Sequence, residues 1–338
     1  MTQLFSAYSS RTSITLTPGK PAALERVIEI LREHKNGDCY AYERGGEWYL
    51  GIGTHSSLAI DATGWTATVS AEYKGESHPV AGSLAGITRF FVSMHTDDTR
   101  KVFVYVGFTY AAHARGIPYT AGRWPLLSLM IQRVEVPFSR DKVILTGCDN
   151  VEVRGLADLI NDTNSCDHTP IESIDTQDNA GEYTARVERA LAKIVDGKYT
   201  KDSVIVEDLM SVRPRGSVQH LGSTVSGCLK PEKDPWDTLE VLFPSITASG
   251  IPKQAALEGI QRLEKRPREL YFGAVLLIHG NMTLEAALVL RTVFQDPVRQ
   301  WVQVGAGVIA QSTPVRELTE TGEKLASIAP FVVSETAK

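Results

Sequence analysis

The sequence predicts a mixed α+β protein built largely on antiparallel strands, with helices outside. Three observations predict it. Short alternating or apolar runs follow one another in the first half, split by turn residues such as Gly45-Gly46. Helical periodicity falls between groups of strands rather than between every pair, which argues against a doubly wound βαβ sheet. No segment repeats along the chain.

Taken in order, Pro21 is placed to open a helix whose apolar stripe is Leu24, Val27, Ile28 and Leu31. An antiparallel meander is predicted from Cys39–Glu43, Glu47–Ile52, Leu58–Asp61 and Thr66–Tyr73. A helix is expected over Val80–Met94, then strands at Val102–Tyr110, Leu127–Val136, Lys142–Thr146 and near Val151–Val153. Asn161 to Gly181 is polar and aperiodic and reads as an exposed connection. An amphipathic helix follows, with Tyr183, Val187, Ala190, Leu191 and Ile194 on one face. Apolar runs lie at Ser203–Val206 and Ser217–Ser226, and helices are predicted around Pro235–Leu242 and Lys253–Leu263. Strands are expected at Phe272–Ile278, Leu284–Val293 and Val302–Ala310, and a last helix over Thr313–Ile328. The expected divisions are a sheet-rich half over 1–160, a connection with its amphipathic helix over 161–201, and a C-terminal half over 202–338.

Composition removes several classes of function. A formal net charge of -5, with no basic cluster interleaved with aromatics, gives no footprint for nucleic acid. No run of about 18 apolar residues is present and the N-terminus lacks a signal-peptide pattern, so the expectation is a cytoplasmic protein with no membrane contact. Cys39, Cys148, Cys166 and Cys228 form no CxxC pair and read as reduced thiols. Cys166 lies two residues before His168, but no second ligand pair sits at zinc spacing, so an irregular polar loop is the reading there.

Four stretches of the second half carry chemistry when taken together. They are Gly216–Ser223 (GSVQHLGS), Leu242–Lys253 (LFPSITASGIPK), Leu270–Val275 (LYFGAV) and Val304–Ala310 (VGAGVIA), the last followed by Glu317, Glu320 and Lys324. In this order and spacing they resemble the C-terminal half of the chorismate-utilising enzymes, with wording most similar to salicylate and isochorismate synthases. The first half is similar more loosely, up to about Lys201. The fold this implies is a sandwich of large, mostly antiparallel sheets flanked by helices, with the active site in the cleft.

Independently of the resemblance, Glu317, Glu320 and Lys324 share one face of a predicted helix. Two carboxylates there can hold a divalent metal, while a solvated Glu/Lys face is the competing reading. The resemblance implies Mg²⁺ on Glu317 and Glu320, with Lys324 on the substrate. Gly305 and Gly307 would offer backbone N–H groups to a substrate carboxylate. Arg291, expected in an otherwise apolar strand, needs a partner, and the resemblance supplies a substrate carboxylate. Tyr271, Thr247 and His220 would line the ring pocket, although a core histidine remains the alternative for His220. Lys201 matches the family's general-base lysine. The implied substrate is chorismate or isochorismate, with no obligatory protein partner.

The pattern breaks after Lys201. The family's next strand is absent, and Asp202–Val212 resembles a region about a hundred residues further on. The missing stretch would carry an L-G-x-S-P-E segment with the general acid, a G-T-R turn and a helix with another metal carboxylate. Lys142–Leu145 resembles the lost strand, but it falls in the first half and matches a different one. The chain is therefore expected to have an incomplete fold and an impaired isochorismate-forming step. A skipped stretch of coding DNA, a decayed paralogue and a shortened protein re-used for another task all remain open. The competing class is a non-catalytic binding protein or a re-purposed pericyclase.

Overall fold

A computed structural model describes residues 12–16, 24, 26–30, 38–44, 46–71, 74–95, 100–138, 143–161, 205–215, 218–279, 283–309, 311–329 and 332. Lys201, residues 162–181 of the polar connection with Cys166 and His168, and the amphipathic helix expected at 183–198 lie outside these residues, while Asn161 is helical. The first half contributes β1 (Thr12–Leu16), β2 (Cys39–Arg44), β3 (Glu47–Ile60), β4 (Thr66–Ala71), β5 (Lys74–Pro79), α1 (Leu84–His95), β6 (Val102–Val106), α2 (Tyr110–His113), β7 (Leu127–Phe138), β8 (Val143–Gly147) and α3 (Asn150–Asn161). The second contributes β9 (Ile205–Arg215), β10 (Val218–Ser226), α4 (Pro235–Leu242), α5 (Ile246–Ser249), α6 (Lys253–Leu263), β11 (Ala274–His279), β12 (Thr283–Leu288), β13 (Val293–Gln295), β14 (Gln300–Val302) and α7 (Pro314–Ala326).

Among the described residues, one ten-stranded sheet holds all strands but β9–β10 and β13–β14, which form two-stranded antiparallel pairs. Its main path is β12-β11-β6-β7-β3-β4-β5, and every pairing is antiparallel. The α+β, antiparallel, helix-flanked expectation is borne out. Two long strands form the spine. One edge of β3 pairs with β7, while its other edge is shared by β2 near Glu47–Ile52 and β4 near Ser56–Ile60. The other edge of β7 is shared likewise by β6 and β8.

At the crossover in β3 the register shifts between Thr54 and Ser56, next to Gly53 at φ 63°. A bulge adds a residue and reverses which side chains face a given side. Leu50 and Ile52 accordingly join a core with Val134, Val136, Val153 and Ile160, while Leu58 and Ile60 join another with Leu127, Leu129, Val104 and Trp236. The runs Glu47–Ile52 and Leu58–Asp61, expected as two strands, are thus one bent strand.

Other expectations are corrected. Val151–Val153 is helical, not extended: Asp149 Oδ1 accepts from the N–H groups of Val151 and Glu152 at 2.8 and 3.2 Å and opens α3. Val153, Leu156, Ala157 and Ile160 then form its buried stripe. Residues 26–30 are helical, but Ile30 is buried while Ile28 faces outward. The strand expected over Leu284–Val293 stops at Leu288, and of the strand expected over Val302–Ala310 only Val302 is extended among the described residues. β1 and the polar edge strand β5 were not anticipated.

The second half is joined to the first through β11, whose residues Ala274–Ile278 pair with Val106–Val102 of β6. α4 is anchored too. Asp234 caps it, taking the N–H groups of Trp236 and Asp237, and Arg89 of α1 donates to both Asp234 oxygens at 2.5 and 3.0 Å. Burial alone would raise the Asp234 pKa, but Arg89 and the capped N–H groups hold it below the usual carboxylate range. At the far end of α4, Arg115 donates to the carbonyls of Glu240 and Phe243, and Lys253 to those of Val241 and Leu242. The segment Phe243–Ser249, which bears Thr247, therefore leaves a helix fixed at both ends.

Candidate functional site

Tyr271 stands just before β11. Its backbone N–H donates to the Arg268 carbonyl, and the N–H of Gly273 donates to that of Leu270. Phe272 N–H bonds the Val289 carbonyl, and Val289 N–H bonds that of Gly273, so the turn before β11 is stitched to the exit of β12. Tyr271 is buried with Val289 and Phe294 in a small cluster, against which Trp301 packs. Among the described residues, the non-glycine residues with positive φ are Glu269 at 52°, Phe272 at 58° and Arg291 at 51°. All of them flank Tyr271 or the β12 exit. Such backbone costs about 1 kcal/mol or more each and persists where surrounding contacts enforce it.

Four candidate residues converge. A methyl added at Gly305 would lie 3.1 Å from the Tyr271 hydroxyl, so the hydroxyl borders the space that a side chain at 305 would take. The Gly305 carbonyl accepts from Lys324 Nζ at 2.9 Å, and the same ammonium pairs with Glu320 Oε1 at 2.6 Å. Helix α7, which carries both, starts at Pro314 with Thr313 as its cap. It places an acid in its first turn (Glu317) and a base in its last (Lys324), as the helix dipole favours. Glu317 lies one turn N-terminal to Thr321, and both are buried, Glu317 at 4% exposure.

The state of Glu317 tests whether a metal fits. Its Oε2 is buried and has no hydrogen-bond partner among the described residues. A buried carboxylate oxygen without a donor is costly, and a cation is the group that would satisfy it. Glu320, half-exposed on the same helix, supplies a second carboxylate. No cage of three or more His, Cys, Asp or Glu side chains is formed among the described residues. Mg²⁺ commonly keeps several waters and takes one or two protein carboxylates plus substrate oxygens, so the unpartnered Oε2 of Glu317 suits it, whereas Glu320 would first have to release Lys324.

The other candidates lie on neighbouring or separate segments. Arg291 is not in a strand: it follows β12 in a left-handed turn, half-buried, and interacts with neighbours already. The apolar run up to Leu290 disguised that turn. Thr247 is exposed on α5, and Gly307 is exposed with open space beside it. His220 pairs through its backbone with Arg213 in the β9–β10 ladder, and its side chain, like all of Lys201, lies outside what is described.

Sequence reading passed over Arg268. Its guanidinium forks onto Glu264 at 2.8 and 2.6 Å, donates to the Ala248 carbonyl at 2.7 Å, and lies over the rings of Phe108 and Phe272. The available signal was the four-residue spacing from Glu264.

The sequence profile of the chorismate binding enzymes matches residues 200–330. Salicylate synthase of Mycolicibacterium paratuberculosis is 51% identical over 132 residues, which is 39% of this chain and 29% of that protein. Anthranilate synthase component 1 of Haloferax volcanii is 38% identical over 137 residues, 39% of this chain and 26% of that one. The matched stretch thus spans less than a third of these relatives. Among solved structures, anthranilate synthase component I from Streptococcus pneumoniae aligns with a TM-score of 0.66 at 15% identity, covering 90% of this chain and 97% of that one. The menaquinone-specific isochorismate synthase of Escherichia coli aligns at 0.54 and 12% identity, covering 97% of this chain and 96% of that one. At such identities the structures speak for the fold, and the sequence matches speak for the lineage. Over residues 200–330 the chain is similar to the chorismate binding enzymes.

Proposed function

We propose that this chain binds chorismate or isochorismate with Mg²⁺ and is salicylate synthase-like in its C-terminal half. The observation that carries this reading is the convergence of the Tyr271 hydroxyl, Gly305, Lys324 and Glu320 beside buried Glu317. Its supporting likeness is the 51% identity to a salicylate synthase over that half.

In this reading Lys324 exchanges its bond to the Gly305 carbonyl for a substrate carboxylate, at which a charge-assisted bond is stronger. Arg291 takes the other carboxylate, and the N–H groups around Gly305 and Gly307 add donors. Tyr271 orients the ring, and by the family likeness Thr247 and His220 would line its pocket. Mg²⁺ on Glu317 and Glu320 would neutralise a substrate carboxylate.

The full conversion runs from chorismate through isochorismate to salicylate and pyruvate. Its first step needs a base to activate water and an acid to protonate the leaving hydroxyl. Lys201 matches the base, while the acid-bearing segment is missing after it. Pyruvate loss from isochorismate is pericyclic and depends on holding the substrate in its reactive shape. We therefore assign the chain isochorismate-directed binding with weak lyase activity, and little formation of isochorismate. The test measures pyruvate and salicylate from each substrate, with Mg²⁺ and with chelator. Salicylate from isochorismate alone supports the assignment. Robust salicylate from chorismate would contradict the reading of the gap. No product from either substrate, with binding retained, would leave a non-catalytic binding protein.

A further inference from the structure

We infer that Arg268 is a positioning residue that sets the placement of both Tyr271 and Thr247 through its planar guanidinium. The inference deepens the proposed ligand site and rests on that reading only for its functional consequence.

Arg268 joins four separate pieces of the chain. Its Nε and Nη2 fork onto Glu264, just past α6, at 2.8 and 2.6 Å. Its Nη1 donates to the carbonyl of Ala248 at 2.7 Å, which fixes the α5 turn at the residue following Thr247. Its face lies 4.5 Å from the ring centre of Phe108, in the first half of the chain, and 5.5 Å from that of Phe272. Its own carbonyl accepts the Tyr271 N–H at 2.9 Å. The next residue extends the connection: the Glu269 carbonyl takes the Phe108 N–H at 2.7 Å, and its carboxylate takes the Arg123 N–H at 2.7 Å.

The backbone explains why so much holds this turn. Glu269 and Phe272, on either side of Tyr271, sit in the left-handed region that L side chains rarely adopt. Released, they would relax toward ordinary conformations, and Tyr271 would swing with them. The arrangement uses what distinguishes arginine from lysine: a flat, delocalised cation that stacks on rings and presents paired donors to a carboxylate. Lysine keeps the charge but loses the fork and the stacking. The Arg268 side chain is 12% exposed, so water does not take over its role.

The test labels the protein with 3-fluorotyrosine, assigns the Tyr271 signal with Tyr271→Phe, and compares wild type with Arg268→Lys and Phe108→Leu by ¹⁹F NMR. Melting curves and calorimetric titration with chorismate in Mg²⁺ accompany it. Phe108→Leu removes one stacking ring and leaves the fork, so it reports even if Arg268→Lys folds poorly. We expect the position-271 resonance to shift or broaden in folded Arg268→Lys, and less so in Phe108→Leu. Chorismate affinity should fall about tenfold in Arg268→Lys. An unmoved resonance in both folded variants overturns the inference, as does a moved one with wild-type affinity retained. A moved resonance in a protein whose wild type binds no chorismate leaves the positioning role standing and removes the ligand assignment instead.

Discussion

The approach of the Tyr271 hydroxyl to Gly305 offers a sharp perturbation. In Gly305→Ala the new methyl would lie 3.1 Å from the hydroxyl oxygen, with two ring carbons at 4.0 Å. The oxygen must then withdraw by a few tenths of an ångström. Overpacking costs about 1–3 kcal/mol, and the low end applies because the obstacle is the tip of one side chain. About 1 kcal/mol corresponds to roughly a fivefold change in an equilibrium constant. Tyr271→Phe removes the obstructing atom, so the two substitutions should couple by about 1 kcal/mol in a double-mutant cycle. Backbone effects of replacing glycine cancel in that cycle. Gly307→Ala is the stability control: nothing lies within 4 Å of its new methyl, so no overpacking cost is expected. Urea denaturation of the four proteins gives the stability cycle, and chorismate titration gives the binding cycle. Strict additivity in both would refute the approach of Tyr271 to the Gly305 segment.

Further outcomes follow from Glu317, Asp234 and the α4–α5 surface. Mg²⁺ should raise the melting temperature of wild type by mass action and leave Glu317→Gln unchanged, with weaker metal affinity than a full-length relative. Equal Mg²⁺ affinity in calorimetry would count against a lost metal carboxylate. The Asp234 pKa lies below its unfolded value, so its contribution is present above about pH 4 and lost as pH falls through the folded value. The stability gap between wild type and Asp234→Asn should therefore close below about pH 4, and a gap independent of pH in acid denaturation would contradict the Arg89 pairing. Leu242, Ile246 and Ile251 are large exposed apolar residues close in sequence around α4 and α5. Binding of a hydrophobic dye by the native protein should weaken in Ile246→Ser, and no dye binding at all would argue against an open apolar surface.

The elements most legible in sequence are those whose local signals agree. Helix α7 was readable because Thr313-Pro314 opens it and Glu317, Glu320 and Lys324 share a face. α4 and α6 were likewise marked by Pro235 and Pro252-Lys253. Misreadings occurred where two periodicities overlap or where tertiary contacts decide. Val151-Glu152-Val153 alternates like a strand, yet Val153, Leu156, Ala157 and Ile160 bury one face of a helix. β5 is polar and exposed, with no apolar alternation to reveal it. The turn at Arg291 has a left-handed residue that nothing local encodes; it is set by the Val289 bonds to Phe272 and Gly273. At the site, the residue types of Glu317, Glu320 and Lys324 were legible, whereas the seating of Lys324 on the Gly305 carbonyl arises only from folding.

Calorimetric titration of the full chain with isochorismate, in Mg²⁺ and then in chelator, tests whether the site around Lys324 and Glu317 takes its ligand with a metal. One saturable site per chain is expected in Mg²⁺. Affinity should fall at least tenfold in chelator, and by a similar factor in Lys324→Met, where a charge-assisted contact is lost. Affinity unchanged by chelation and by Lys324→Met, or no saturable binding by a folded protein, would contradict it.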